Sequence, residues 1–226
     1  MAYVADNVIE LIYEVYPYGA VREAVVRKIR GGRAGFIVPY VIKEGVGVLI
    51  ITPTEPVATR IERLETGTCL DVAAGGLYKG LLHVLVGPPG AGKTWLMLKA
   101  VKSLRERGVK AEYINRGGFV YVQQFGVESI DVNLDLGELY AALATVKADV
   151  VFIRGLEALF RLYGEQLLYS TLQTLLRVAR SGPAVVISLR DLHDLDVLFD
   201  VIVNVENRTV TSVRAPGGKI GEKVKC

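Results

Sequence analysis

The run Gly87-Pro88-Pro89-Gly90-Ala91-Gly92-Lys93-Thr94 satisfies the spacing G-x-x-x-x-G-K-[ST] at every fixed position. The chemistry this pattern serves is the holding of a phosphate chain. Glycines let successive backbone N–H groups turn inward around an anion, and a helix starting at the lysine adds its free N–H groups and the positive end of its dipole. Lys93 then reaches the β- and γ-phosphates of a nucleotide, and the Thr94 hydroxyl is placed to ligate Mg²⁺. The expected ligand is ATP or ADP, held by residues 87–94.

Such a loop works only if a strand delivers the chain to it and a helix leaves it. The apolar run Leu81 to Val86 supplies the strand, and a helical pattern over 93–107 supplies the helix. From Thr66 onward the pattern continues, with strands predicted at 81–86, 111–115, 149–154 and 184–189 and helices at 93–107, 137–147, 163–180 and 191–199. An antiparallel hairpin, Val201 to Glu206 and Thr209 to Arg214, closes the chain around Asn207-Arg208. Alternation of this kind predicts an α/β fold, a mostly parallel sheet flanked by helices, over residues 66–226. Ligands bind at the carboxyl ends of the strands in such sheets. Residues 87–94, 115–118, 154–157 and 189–191 are therefore expected to converge.

Residues 1–65 read as a separate small α+β appendage. Val8, Ile9, Leu11, Ile12 and Val15 have helical spacing up to Pro17, and a second helix is predicted from Val21 to Ile29, ending at Gly31-Gly32. Two β-rich runs, 34–42 and 46–52, form a hairpin across Lys43-Glu44-Gly45, and a short helix follows at 57–64. Helix, helix and hairpin are compatible with a winged-helix-like module whose basic side would carry Arg22, Arg27, Lys28, Arg30 and Arg33. Acidic and basic residues balance over the segment, and no base-reading pattern is present, so a packing or oligomerisation role is favoured.

The composition is that of a chain with a large core, 51% hydrophobic and 23% charged over 226 residues. No apolar run reaches the length of a membrane span, and the first residues lack a basic segment followed by an apolar one. Cys69 and Cys226 are the only cysteines and stand in no metal-type spacing, which points to reduced thiols in a cytoplasm. The net charge of +3 is too mild to argue for nucleic acid by itself. The excess gathers late, in Arg208, Arg214, Lys219, Lys223 and Lys225 against Glu222, and reads as a solvated basic tail.

Thr66-Gly67-Thr68-Cys69-Leu70-Asp71, Gly75-Gly76-Leu77-Tyr78-Lys79-Gly80 and the phosphate loop together resemble the opening of RecA-like recombinase ATPases, above all archaeal RadA and RadB and the KaiC-like proteins. The likeness continues through Tyr113-Ile114-Asn115, Gln124-Phe125-Gly126-Val127, Val151-Phe152-Ile153 and Ala158-Leu159-Phe160-Arg161, and covers most of 66–206. It implies a RecA-like core that binds ATP, and a place in DNA repair or recombination.

Three departures qualify what the resemblance implies. Where the family strand ends in an aspartate that holds Mg²⁺ through water, this chain has Arg154. At about 4 Å and an effective dielectric of 20, that exchange turns roughly 4 kcal/mol of attraction to the metal into a comparable repulsion. Asp149 begins the same strand, about 16 Å from its end, too far to substitute. Where the family has the glutamate that polarises the attacking water, this chain has Gly117 in Asn115-Arg116-Gly117-Gly118. Glu157 is the one nearby acid that could serve as a catalytic base, although an ordinary glutamate at a helix start is the plainer reading. Where recombinases carry a DNA-contacting loop, the segment 190–200 is short and contains Asp191, Asp194, Asp196 and Asp200, which repel phosphate.

The expectation is thus an accessory or regulatory recombinase paralog that binds nucleotide with impaired hydrolysis. Arg154 would partly replace Mg²⁺ at the phosphates. Its partner would be a recombinase or a second copy of itself, with DNA contacted weakly or indirectly. The competing readings are an ATPase using Glu157 or a carboxylate supplied in trans, and an interaction protein with a relic loop. His83 reads as a core residue, His193 as an unsupported metal ligand, and the acids of 191–200 as solvated.

Overall fold

The computed structural model describes residues 5–17, 19–50, 61–117, 119–133, 135–192 and 194–226. Its first departure from expectation is at the start of the chain, where the two predicted helices are strands. β1 (Asn7–Tyr16) and β2 (Gly19–Ile29) pair antiparallel over their full length, and β3 (Phe36–Lys43) and β4 (Gly47–Ile50) complete a four-stranded sheet. The apolar residues of β1 fit helical spacing but also alternate, Ile9, Leu11, Tyr13 and Val15 sharing one face. With Val, Ile and Tyr so frequent, pleated packing suits them better than a helix, where branching at Cβ restricts χ1. The winged-helix expectation therefore falls. Its basic residues are partly engaged within the sheet, Arg27 with Glu10 at 2.7 Å, Arg30 with Asp6 at 2.9 Å and Arg22 over the Tyr13 ring. The hairpin across Lys43 to Gly45 does form; the helix expected at 57–64 lies mostly outside the described residues, and its end, Arg63–Leu64, is strand β5.

The chain then runs α1 (Cys69–Ala73), β6 (Leu77–Tyr78), β7 (Leu82–Val86), α2 (Lys93–Glu106), β8 (Ala111–Asn115), α3 (Phe119–Gln124), β9 (Ile130–Asp131) and α4 (Leu136–Thr145). It continues through β10 (Val150–Ile153), α5 (Leu156–Tyr163), α6 (Glu165–Arg180) and β11 (Ala184–Leu189) to the hairpin β12 (Val201–Glu206) and β13 (Thr209–Arg214), and to β14 (Lys223–Lys225). The main sheet has eight strands in the order β14-β13-β12-β7-β11-β10-β8-β9.

The expected fold class, a RecA-like core of mostly parallel sheet flanked by helices with an α+β appendage, is not what these elements make. Strand outweighs helix, 37% to 28%, and the eight-stranded sheet is mixed. The two smaller sheets are antiparallel, as are the β12–β13 and β13–β14 pairs at one edge of the large one. Three local causes are visible. The first segment is strand rather than helix, for the reason above. The helix expected over 191–199 is reduced to a single 3₁₀ turn, Asp196–Leu198, because Asp194 sits in the left-handed region at φ 60°. The supposed basic tail folds back as β14, whose Val224 pairs with Val210.

Successive residues of the central strands feed two core layers. Leu82, Val84, Val151, Ile153, Val185 and Ile187 pack with Leu136 and Leu139 of α4 and Leu172 of α6, and Val21 and Val41 of the first sheet join the same cluster. Leu85, Phe152 and Val186 face the other way, onto Leu96, Met97, Val101 and Leu104 of α2. The first sheet thus shares a core with the rest of the chain. Its other face leaves Ile9, Leu11, Tyr13, Val15, Ile42 and Val48 more than half exposed.

His83 lies wholly within the core, as its apolar setting predicts. The Tyr78 N–H donates to Nε2 at 3.1 Å, so the ring proton is on Nδ1, beside the carbonyls of Leu81 and Val185 at 3.1 and 3.2 Å. Burial holds its pKa down at about 4. The unfolded chain takes up this proton near 6.5 and the folded one only near 4. The contribution to stability is complete above pH 6.5 and is lost as pH falls towards 4, about 3 kcal/mol in all. Denaturant titrations across that range should show the slope in wild type and a shallower one in His83→Gln.

Two of the acids expected to be solvated are structural. Asp200 accepts from both terminal nitrogens of Arg180, at 2.9 and 2.7 Å, and from the Leu82 N–H at 2.8 Å, tying the end of α6 to the start of β7. Asp196 pairs with Arg214 at 3.3 Å. His193 lies outside the described residues.

Candidate phosphate-binding site

The phosphate loop leaves β7 and enters α2 at Lys93, as its sequence requires. Gly87 can be nothing larger, since a Cβ there would stand 2.1 Å from the Val205 carbonyl oxygen. Gly92, at φ 104°, is the residue before the helix and carries the left-handed turn that aims the first free N–H groups of α2 at the pocket. Residues 89–95 line a pocket of about 400 Å³ together with Arg116, Arg154, Glu157, Ser188 and Arg208. Gly87 and Pro88 stand behind it, their carbonyls accepting from the Lys93 ammonium, in the case of Pro88 at 3.0 Å. Burial lowers the Lys93 pKa, and the carboxylate of Glu157 opposes that shift.

The strand ends bring in part of what the sequence predicts. Arg154 follows β10 and lines the pocket; its Nη1 donates to the Gly117 carbonyl and, at 3.5 Å, to Asn115 Oδ1. Part of its donor capacity therefore braces the end of β8 rather than pointing free. Glu157, at the start of α5, is no ordinary surface glutamate: it lines the pocket, and its Oε1 is buried without a hydrogen bond among the described residues. Residues 189–191 do not line the pocket, where Ser188 stands instead. Asp149 is engaged elsewhere, with Lys79 at 2.7 Å, and that ammonium holds its carboxyl below the usual range.

Arg116 lies in the 115–118 stretch expected at the site, although no role is expected of its side chain there. It is 6% exposed, and among the described residues none of its three guanidinium nitrogens makes a hydrogen bond. Burial pulls its pKa down to about 10, against the fields of Tyr163, Asp135 and Glu138. Gly155 makes room for it, since a Cβ there would lie 2.8 Å from the Arg116 carbonyl oxygen. Arg208 and Trp95 were also missed, Arg208 because a turn residue in a hairpin carries no signal of which loop it will lie against.

Four cationic side chains, Lys93, Arg116, Arg154 and Arg208, thus surround the loop against the single carboxylate of Glu157. The arrangement suits a polyanion. The hard oxygen donors lining it are Thr94, Ser188 and Glu157, and among the described residues no three His, Cys, Asp or Glu side chains group together. No protein-family model matches the chain, and no curated protein matches it.

A disulfide joins Cys69 of α1 to Cys226, which corrects the expectation of two reduced thiols. No helix among the described residues is long and apolar enough to cross a membrane.

Proposed function

We propose that this chain is a nucleotide-binding protein that takes ATP or ADP at residues 87–94 and acts as an accessory or regulatory subunit in DNA repair or recombination, with little or no hydrolysis. The observation that carries the nucleotide reading is the convergence of Lys93, Arg116, Arg154 and Arg208 on a phosphate loop entering a helix. The DNA-transaction part rests on the motif resemblance to RecA-like recombinase paralogs alone. Impaired hydrolysis rests on the same resemblance, which implies a metal-holding aspartate and a water-polarising glutamate where this chain has Arg154 and Gly117.

Arg154 and Lys93 would neutralise the phosphates without a protein-held metal, while Thr94 could still contact Mg²⁺ carried by the nucleotide itself. A recombinase or a second copy of this chain is the partner we favour, and the exposed apolar face of the first sheet supports a protein partner. DNA contact is expected to be weak or indirect, because the segment 190–200 is short where the resemblance would place a DNA-contacting loop. Cytoplasmic residence belongs to the same proposal, and a disulfide there suits a hyperthermophilic source.

Thermal melts with ATP and ADP, in Mg²⁺ and in EDTA, test the reading. A ligand that binds only the folded state adds about 2.7 kcal/mol at a hundred times its Kd, so a clear upward shift is expected, largely retained in EDTA. Absence of a shift with either nucleotide would leave the loop a relic. Collapse of the shift on chelation would remove the role given to Arg154.

A second reading, a working ATPase, is favoured by the buried, unpartnered Oε1 of Glu157 within the field of Lys93. Phosphate release lost in Glu157→Gln would establish it.

A further inference from the structure

The turn between β12 and β13 lies against the phosphate loop and is fixed there from two sides. The Arg208 N–H donates to the Ala91 carbonyl at 3.0 Å, inside the loop. The Arg208 carbonyl accepts from the Cys226 N–H at 2.8 Å, and Cys226 is bonded to Cys69 on α1. Arg208 is held in the left-handed region at φ 59°, next to Asn207 at φ 47°. A long-chained residue in that region is uncommon, and a Gly or Asn would sit there more easily. Arginine therefore occupies a position that its backbone conformation does not favour.

Its side chain has a use there. The Arg208 Cγ lies close enough to Gly92 that a Cβ on that glycine would be 3.2 Å away, and the guanidinium stands 5.0 Å from the centre of the Trp95 ring. Lys99 stands 4.2 Å from the same ring. Arg208 is exposed, lines the phosphate-loop pocket, and makes no side-chain hydrogen bond among the described residues, so its fork of donors is available to an anion at the pocket mouth.

We propose that Arg208 is a phosphate ligand of the nucleotide, supplied by the β12–β13 turn, and that the Cys69–Cys226 disulfide is what positions it, so that nucleotide affinity depends on the redox state of this pair. This rests on the nucleotide-binding reading above. When the disulfide is intact, β14 and Cys226 hold the Arg208 carbonyl and keep the turn on Ala91. On reduction by a dithiol, the S–S bond takes up two electrons and two protons, the dithiol becomes a disulfide, and the Cys226 anchor is freed. Arg208 then samples positions away from the loop. Cys69 and Cys226 are positioning residues in this scheme; only Arg208 touches the ligand.

The molecule contains a built-in reporter, because Trp95 is the only tryptophan, adjoins Thr94, and is flanked by the two cations. Titrating ATP against Trp95 fluorescence, with calorimetry as a second measure, should give an affinity about tenfold weaker for Arg208→Gln than for wild type, both oxidised. Reduction with dithiothreitol, or Cys226→Ser, should weaken wild type by a similar factor and leave Arg208→Gln almost unaffected, since the two changes remove one interaction. Circular dichroism at the titration temperature shows that each form remains folded. The oxidised Arg208→Gln protein keeps its disulfide and provides the test if the reduced forms do not stay folded. Equal affinity of oxidised wild type and Arg208→Gln overturns the assignment. An Arg208→Gln effect that reduction neither mimics nor removes overturns the role of the disulfide. Failure of oxidised wild type to bind any nucleotide by calorimetry overturns the nucleotide reading itself, a result distinct from both.

Discussion

Breaking the Cys69–Cys226 bond is expected to cost up to about 5 kcal/mol of folding stability, the largest effect of any single change considered. The bond closes a span of 157 residues, and cross-linking so long a loop removes conformational freedom chiefly from the unfolded chain. The chain-entropy estimate for such a span is about 5 kcal/mol at room temperature, an upper figure because unfolded chains retain some structure. In the folded protein the same bond keeps β14 paired with β13, through Val224 and Val210. Urea titrations of oxidised protein, reduced protein and Cys226→Ser should give coincident losses for the last two. Unfolding midpoints that do not move on reduction would show that the bond contributes nothing.

Lys93→Ala is expected to weaken nucleotide binding by about 2–5 kcal/mol, tens to thousands of fold, because removing one member of a buried, hydrogen-bonded charge pair also leaves the phosphate charge uncompensated. The folded state should be little affected. Among the described residues the Lys93 ammonium bonds only to the carbonyls of Gly87 and Pro88, which water can replace at a half-exposed loop. Calorimetric titration with ATP, beside a denaturant melt of the free protein, separates the two quantities. Unchanged affinity in a variant of normal stability would mean that the nucleotide, if bound, is held elsewhere. Arg154→Ala provides a useful contrast, since part of that guanidinium braces Gly117 and Asn115 and its loss should touch stability as well as affinity.

The phosphate loop was legible because its requirements are local. Strand, glycine turn and helix start follow one another within a few residues, and the backbone conformation they need is written in Gly90 and Gly92. The central strands were legible for a related reason: Val150 to Ile153 and Ala184 to Ile187 are buried and apolar at every position, and such a run has few alternatives to a strand covered on both sides. The β12–β13 hairpin shows its alternation plainly. The first strand pair did not declare itself, because Val8 to Tyr16 satisfies two periodicities, and the choice fell to pairing with β2, which itself packs on α4 more than a hundred residues later.

Sequence alone thus determined that a loop of the form G-x-x-x-x-G-K-[ST] joins a strand to a helix, and that Arg154 and Gly117 stand where the resemblance implies a metal-holding aspartate and a water-polarising glutamate. Tertiary structure decided what surrounds the loop. Arg116, Glu157 and Arg208 come from three separate connections and meet the loop only because the order of strands in the sheet brings their ends together. It also decided the state of the cysteines: Cys69 and Cys226 are 157 residues apart in sequence, and whether two thiols can bond depends on a distance that no local pattern encodes. Chemistry carried by neighbours in the chain can be read from residue order, whereas chemistry assembled across a sheet depends on long-range pairing, which is set by the burial of the whole core.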